Sequence, residues 1–266
     1  MRPVAVVGSL SLDRVEGGSP RIGGGPYHCG RALRIIGTPA RILTKCGRAE
    51  RPVLVPRLAA LGVPVTVRDA ETTHAFSMTY DGDARVMHVD AIGDPWTPTD
   101  VGAALSRVGA VHVAPLAESD FTSETLEVIA RGRRLSLDGQ GLVRPPRTGP
   151  LELDSQYDPA LLEHVSILKL AAEEALALVP DLDRESLASF GVPEVVVTFG
   201  LHGSLVFAAG RTHRIDVRPL HDVDPTGAGD AFSIAYLAAR SEGHAPHAAA
   251  RRASTLVYGL LSRRLR

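Results

Sequence analysis

The chain reads as an α/β protein built on a doubly wound, mostly parallel sheet flanked by helices, and three observations predict this. Short apolar runs rich in Val, Ile and Leu recur between longer helical patterns. The runs are continuous rather than alternating, as strands covered on both faces are. Glycine-rich turns follow several of them, at the carboxyl ends where open α/β sheets collect ligands. With 266 residues, 44% hydrophobic and 22% charged, the chain can bury a full core. It is expected to form a single domain over residues 1–266.

The expected elements run in this order. Pro3 to Gly8 is the first strand, and Gly25 to Ile36 is a helix opened by Gly23-Gly24-Gly25-Pro26 and closed by Gly37. Ala40 to Lys45 is a strand and Pro52 to Leu61 a helix. After them come strand Ala110 to Ala114, helix Ser123 to Arg131 and strand Leu135 to Asp138. Strand Val165 to Lys169, helix Ala172 to Leu178 and strand Glu194 to Phe199 continue the alternation. Helices Ala228 to Arg240 and 246–263 finish the chain. Residues 72–92 break the pattern, because alternating runs at 73–80 and 84–90 flank Asp81-Gly82-Asp83, the signature of a β-hairpin.

The most informative segment is Asp224-Pro225-Thr226-Gly227-Ala228-Gly229-Asp230, directly before a helix-forming run. Two glycines leave the backbone unshielded, and the first amides of a helix lack intrahelical partners, so an anion can settle there. A carboxylate at that point repels a phosphate but is well placed to take a proton from a hydroxyl attacking one. A simple turn followed by a dipole-complementing acid is the plainer reading of the same residues.

Composition excludes several classes. The formal net charge of −1 creates no field favouring nucleic acid or an acidic membrane surface. No apolar run reaches membrane length, and Cys29 and Cys46 have neither metal-ligand nor redox spacing. A reduced, cytoplasmic protein with a small-molecule partner is expected, with no nucleic acid and no membrane. No Walker-type glycine-lysine loop occurs, and Gly8-Ser9-Leu10-Ser11-Leu12 lacks dinucleotide glycine spacing, which disfavours a reductase.

Taken together, Gly23 to Gly37, Lys169 with Glu174, Thr198-x-Gly200-x-x-Gly203 and Asp224 to Asp230 occur in the order found in ribokinase-like (PfkB) carbohydrate kinases, which the chain resembles over nearly its whole length. The resemblance implies an ATP-dependent, Mg2+-requiring phosphotransferase acting on a hydroxyl of a sugar, cyclitol or nucleoside, either monomeric or homodimeric. Asp230 would be the general base, with Gly227, Ala228 and Gly229 forming the anion loop. Lys169, Thr198, Gly200, Gly203, Asp224 and Thr226 would serve the nucleotide. Glu174 would support Mg2+ through water, although Ala171 replaces the Asn usual three residues before it.

Asp13, Gly24, Gly25 and His28 would hold the polyhydroxylated substrate, His28 standing where the family usually has Asn. Asp138-Gly139-Gln140-Gly141-Leu142-Val143-Arg144 looks like an element of the inositol-kinase-like branch, adding Gln140 and Arg144 to the acceptor side. Only 5% of residues are Phe, Trp or Tyr, which leans toward a cyclitol or sugar over a base-bearing nucleoside. The hairpin at 72–92 would be a small lid, with too few residues between Asp13 and Gly23 for a second lid segment. The alternative is a non-catalytic nucleotide or metabolite sensor on the same fold, suggested by Ala171, His28 and Arg48 at usually functional positions.

Overall fold

The structure, a computed structural model, describes residues 2–81, 84–218, 220 and 223–262. Its first half comprises β1 (Val4–Ser9), β2 (Ser11–Val15), β3 (Arg21–Gly23), α1 (Gly25–Ile36), β4 (Ala40–Gly47), α2 (Arg51–Ala59), β5 (Val65–Ala70), β6 (His74–Asp81) and β7 (Ala84–Ala91). Next come α3 (Pro98–Val101), β8 (Ala110–Ala114), α4 (Ser123–Ala130), β9 (Arg134–Asp138), α5 (Gln140–Val143) and β10 (Gly149–Pro150). The last part holds β11 (Ile167–Ala171), α6 (Ala172–Leu178), α7 (Arg184–Ala188), β12 (Glu194–Thr198), β13 (Ser204–Ala208), β14 (Arg211–Ile215), α8 (Ala228–Ser241) and α9 (Pro246–Ser262).

The main sheet has nine strands in the order β14-β13-β12-β11-β9-β8-β1-β4-β5. Seven run parallel, and β13 and β14 pair antiparallel at one edge. All six residues of β1 are buried, as a central parallel strand requires. One apolar layer joins the sheet to α3, α4, α6 and α7 through Val101, Leu126, Ala175 and Leu187. The opposite layer joins it to α1, α2, α8 and α9 through Leu33, Leu58, Ile234 and Ala253. This is the doubly wound arrangement expected.

Local chemistry fixes the ends that matter. Gly24, at φ 89°, precedes α1, and Pro26 occupies its first turn, where the missing N–H costs nothing. Gly37, at φ 70°, ends it by donating to the Leu33 carbonyl at 3.0 Å. Gly227, also left-handed at φ 76°, starts α8 with no side-chain cap.

A second sheet of five strands, β10-β7-β6-β2-β3, lies apart from the first. It contains the expected hairpin, β6 with β7, whose turn residues Gly82 and Asp83 fall outside the described residues. It also contains more than the hairpin. A return at Gly17-Gly18 lets the short run from Ser11 to Gly23 pair with itself as β2 and β3, and β2 then lies parallel to β6. Three-residue β3 and two-residue β10 are below the length at which sequence alternation is visible. Phe76, Met78, Val89 and Leu116 give this sheet its own small core. No helix among the described residues is long and apolar enough to cross a membrane.

Candidate active site

The start of α8 lies at the carboxyl end of the central strands, and α1 begins beside it. A Cβ at Gly25 would stand 3.0 Å from Asp230 Oδ1, and one at Gly227 would collide with the His28 ring at 2.2 Å. Only glycine therefore lets the two helix starts close on each other. A Cβ at Gly229 would stand 3.0 Å from Lys169 Nζ, which places that ammonium directly beneath the anion loop. Asp224 Oδ1 accepts the Thr226 amide at 2.9 Å and shapes the entry to the loop. The Ala228 amide is taken by the Pro225 carbonyl at 2.9 Å, so the amides of Gly229 and Asp230 are the ones that face an incoming anion.

Beneath the loop lies a charge cluster. Lys169 Nζ meets Asp138 Oδ2 at 3.2 Å, with side-chain exposures of 5% and 2%. Burial opposes charge on both. For Lys169 the neighbouring carboxylates, Asp138 first, outweigh it and hold the ammonium protonated. For Asp138 burial is outweighed chiefly by Lys169, and the Gln140 amide adds a bond at 3.2 Å, so the carboxyl stays ionised. Glu174 is buried, and its Oε2 accepts the Ala171 amide at 2.7 Å. That bond is half of a capping box, because Ala171 has no side-chain oxygen to supply the other half. Burial raises the Glu174 pKa against the pull of Lys169.

Asp230 stands between these groups and the open cleft, half-buried. Loss of hydration, then repulsion from Asp138, pushes its pKa from 3.8 up to about 7, with Lys169 and Arg144 pulling the other way. A carboxyl titrating there can hold or release a proton near neutrality, as a general base must.

Two recesses border the loop that leads into this carboxyl. One is bounded by Thr198, Gly200 and Gly203 at one end and by Ala228 and Gly229 at the other. Its wall is apolar, formed by Val217, Leu220, Phe232, Val257, Tyr258 and Leu261. Gly203, at φ 92°, is required there, since a Cβ would meet the Ile215 carbonyl at 2.0 Å. Thr198 Oγ1 donates to the Leu170 carbonyl at 3.2 Å and ties this end to β11. The other recess is lined by Asp13, Tyr27, His28 and Arg31, together with Arg21 and Met78 of the small sheet. Asp13 is oriented by the Ser11 hydroxyl at 2.7 Å and packs on Gly23, where a Cβ would be 2.0 Å from its Oδ2.

Most of the expected residues meet here. Asp230, Gly227, Ala228, Gly229 and Lys169 form the centre, with Gly25 against it. Thr198, Gly200 and Gly203 lie on the apolar side, and Asp13 and His28 on the polar side, with Gly24 folded over the Ser9 carbonyl. Asp224 and Thr226, expected to serve the nucleotide, line the polar recess. Arg144 acts electrostatically on both Asp230 and Glu174, whereas Gln140 contributes its backbone amide to Asp138. Sequence reasoning gave Asp138 no role of its own. Its signal was an acid closing the buried strand Arg134–Asp138, beside a lysine inside the equally buried Ile167–Ala171. The apolar wall comes from the segment after β14 and from α8 and α9, too scattered in sequence to be recognised.

Comparison with known proteins agrees with this geometry. The profile of the pfkB family carbohydrate kinase matches residues 23–256. A ribokinase of Bacillus subtilis (strain 168) is 25% identical over 273 residues, covering 94% of this chain and 90% of that protein. An inositol 3-kinase of Zea mays is 29% identical over 181 residues, which is 66% of this chain and 45% of the maize protein. Among solved structures, the sulfate complex of a pyrophosphate-dependent kinase in the ribokinase family superposes with a TM-score of 0.83 at 25% identity, covering 97% of this chain and 95% of that one. The chain belongs to the pfkB family of carbohydrate kinases and is a phosphotransferase with a hydroxyl acceptor.

Proposed function

We propose that this enzyme transfers the γ-phosphoryl group of ATP, with Mg2+, to a hydroxyl of a cyclitol or sugar, and that Asp230 is the general base. The observation that carries the reading is the Asp230 carboxyl, with a pKa pushed up to about 7, directly after a loop that borders two recesses of opposite character. The apolar recess suits a nucleoside and the polar one a polyol. Carboxylates accept directional bonds from paired hydroxyls, which fits Asp13 to the acceptor.

In this account the acceptor hydroxyl lies against Asp230 and gives it its proton as the new O–P bond forms. The bond from the γ-phosphorus to the bridging oxygen breaks in line, and ADP leaves with that oxygen. The Gly229 and Asp230 amides and the Lys169 ammonium take up charge gathering on the transferred group. Asp138 keeps Lys169 charged and in place. The small sheet, which carries Asp13 and Met78, covers the polar recess and excludes water, the competing acceptor.

The buried carboxylate of Glu174 fits Mg2+ as a hard oxygen donor with one oxygen already fixed by the Ala171 amide, and Mg2+ keeps most of its waters. When bound, the ion would neutralise charge on the donor phosphates.

A second reading concerns the donor. The likeness to a pyrophosphate-dependent kinase favours pyrophosphate, for which the anion loop and Lys169 would suffice and the apolar recess would be superfluous. The experiment that decides is Mg2+-dependent phosphorylation of a panel of inositols, hexoses, pentoses and nucleosides, run in parallel with ATP and pyrophosphate. Product formed from a cyclitol or sugar with ATP supports the proposal. Turnover with pyrophosphate alone replaces the donor, and turnover confined to nucleosides replaces the acceptor.

A further inference from the structure

Behind Asp230 three side chains from three elements converge: Cys29 of α1, His112 of β8 and Asp230 of α8. One ligand atom from each lies within 4.8 Å of the others. Cys29 and His112 are fully buried, and the Cys29 thiol donates to the Asp230 backbone carbonyl at 3.4 Å. The His112 ring is oriented, because Nδ1 meets Ser136 Oγ at 3.2 Å. Its Nε2 is buried and has no hydrogen-bond partner, which is costly for a ring nitrogen unless something else occupies that lone pair. None of the phosphoryl-transfer steps above uses Cys29 or His112.

We propose that Cys29, His112 and Asp230 form a Zn2+ site whose occupation withdraws Asp230 from catalysis. A thiolate sulfur, an imidazole nitrogen and a carboxylate oxygen are the donor set that borderline-soft Zn2+ selects, and Mg2+ does not take sulfur or nitrogen from a protein in this way. Three protein ligands leave a fourth position toward the cleft for water. The Ser136 hydroxyl on Nδ1 is the outer-shell contact that fixes the ring of a metal-bound histidine. Asp138 lies close enough to favour a cation electrostatically, and Lys169 opposes it. Binding to the site with Asp230 ionised exchanges the thiol proton for the metal: the S–H bond breaks, an S–Zn bond forms and one proton is released to solvent, and where the Asp230 carboxyl is protonated its proton leaves as well. With one oxygen on the metal, the Asp230 carboxylate shares its charge with the ion and loses the basicity it needs to take a proton from a substrate hydroxyl. The inhibitory consequence rests on Asp230 being the base; the binding site does not.

The test uses the full chain freed of metal. Co2+ serves as a spectroscopic probe, expected to give thiolate-to-metal charge-transfer absorption that one equivalent of Zn2+ abolishes. Ser136→Ala should weaken Zn2+ binding about tenfold, and Cys29→Ser and His112→Gln should weaken it further. In the presence of excess Mg2+, Zn2+ should inhibit phosphoryl transfer by the wild type and require higher concentrations to inhibit Cys29→Ser. No thiolate absorption in the wild type overturns the proposal without recourse to any variant. Equal Zn2+ affinity or equal inhibition in wild type and Cys29→Ser also overturns it, placing the ion elsewhere. Thiolate absorption without phosphoryl transfer to any acceptor would leave the site standing and sink the kinase reading instead.

Discussion

Replacing Asp230 by Asn should make the protein more stable above neutral pH, and by an amount that depends on pH. The folded carboxyl titrates at about 7 rather than 3.8, because it loses hydration and faces Asp138. Below about pH 4 the group is protonated in folded and unfolded chains alike, so wild type and variant should melt together. Between about pH 4 and 7 the unfolded chain ionises and the folded one does not, so the wild type loses stability as pH rises. Above about 7 the loss is complete. About three decades of proton affinity at about 1.4 kcal/mol each set a ceiling of about 4 kcal/mol. The carboxyl keeps contact with water through the cleft mouth, which reduces this to about 2 kcal/mol. For a chain of this size that is about 4 to 8 °C in melting temperature. Thermal unfolding of both proteins at pH 4 and pH 8, without ligands, reads it directly. A variant that melts at or below the wild type at pH 8, or a gain equal at both pH values, would refute the account of Asp230 as a carboxylate held against its charge.

The same titration governs rate. The acid limb of the kcat/KM profile should have its midpoint near pH 7 and fall tenfold per pH unit below it; a flat profile from pH 5 to 8 would contradict it. Lys169→Met should cost about 3–5 kcal/mol in urea unfolding by leaving Asp138 buried without its partner. In whatever folded protein remains, the loss of that positive charge should move the acid limb to higher pH, and an unchanged limb would remove Lys169 from the electrostatics of the site. Glu174→Gln should raise the Mg2+ concentration needed for half-maximal activity; an unaltered magnesium titration would reduce Glu174 to the helix-capping role of its bond to Ala171.

Much of the fold was legible because buried parallel strands announce themselves as unbroken apolar runs, and the observed β1, β4, β8, β9, β11 and β12 lie within two residues of the expected bounds. Six strands were missed, β2, β3, β5, β10, β13 and β14, and for three of them the reason is that pairing is decided in three dimensions. β3 and β10 are too short to show alternation, and β14 is mostly exposed and polar, a strand only because β13 lies beside it. The anion loop was legible because Gly227, Gly229 and Asp230 are local in sequence and each has a chemical reason to be there. Asp138 with Lys169, and Cys29 with His112, were not, since 31 and 83 residues respectively separate partners that only the sheet order brings together. The side on which Asp224 and Thr226 lie could not be read either, because a loop has two faces and sequence names neither.

The measurement that bears most directly on the central claim is steady-state phosphoryl transfer by wild type and Asp230→Asn at pH 8, with the best donor and acceptor from the panel and donor affinity measured alongside. Turnover should be lower by about a hundredfold to ten-thousandfold in the variant, with donor affinity preserved. Turnover within a few-fold of wild type would show that the hydroxyl proton goes elsewhere, and Asp230 would cease to be the base.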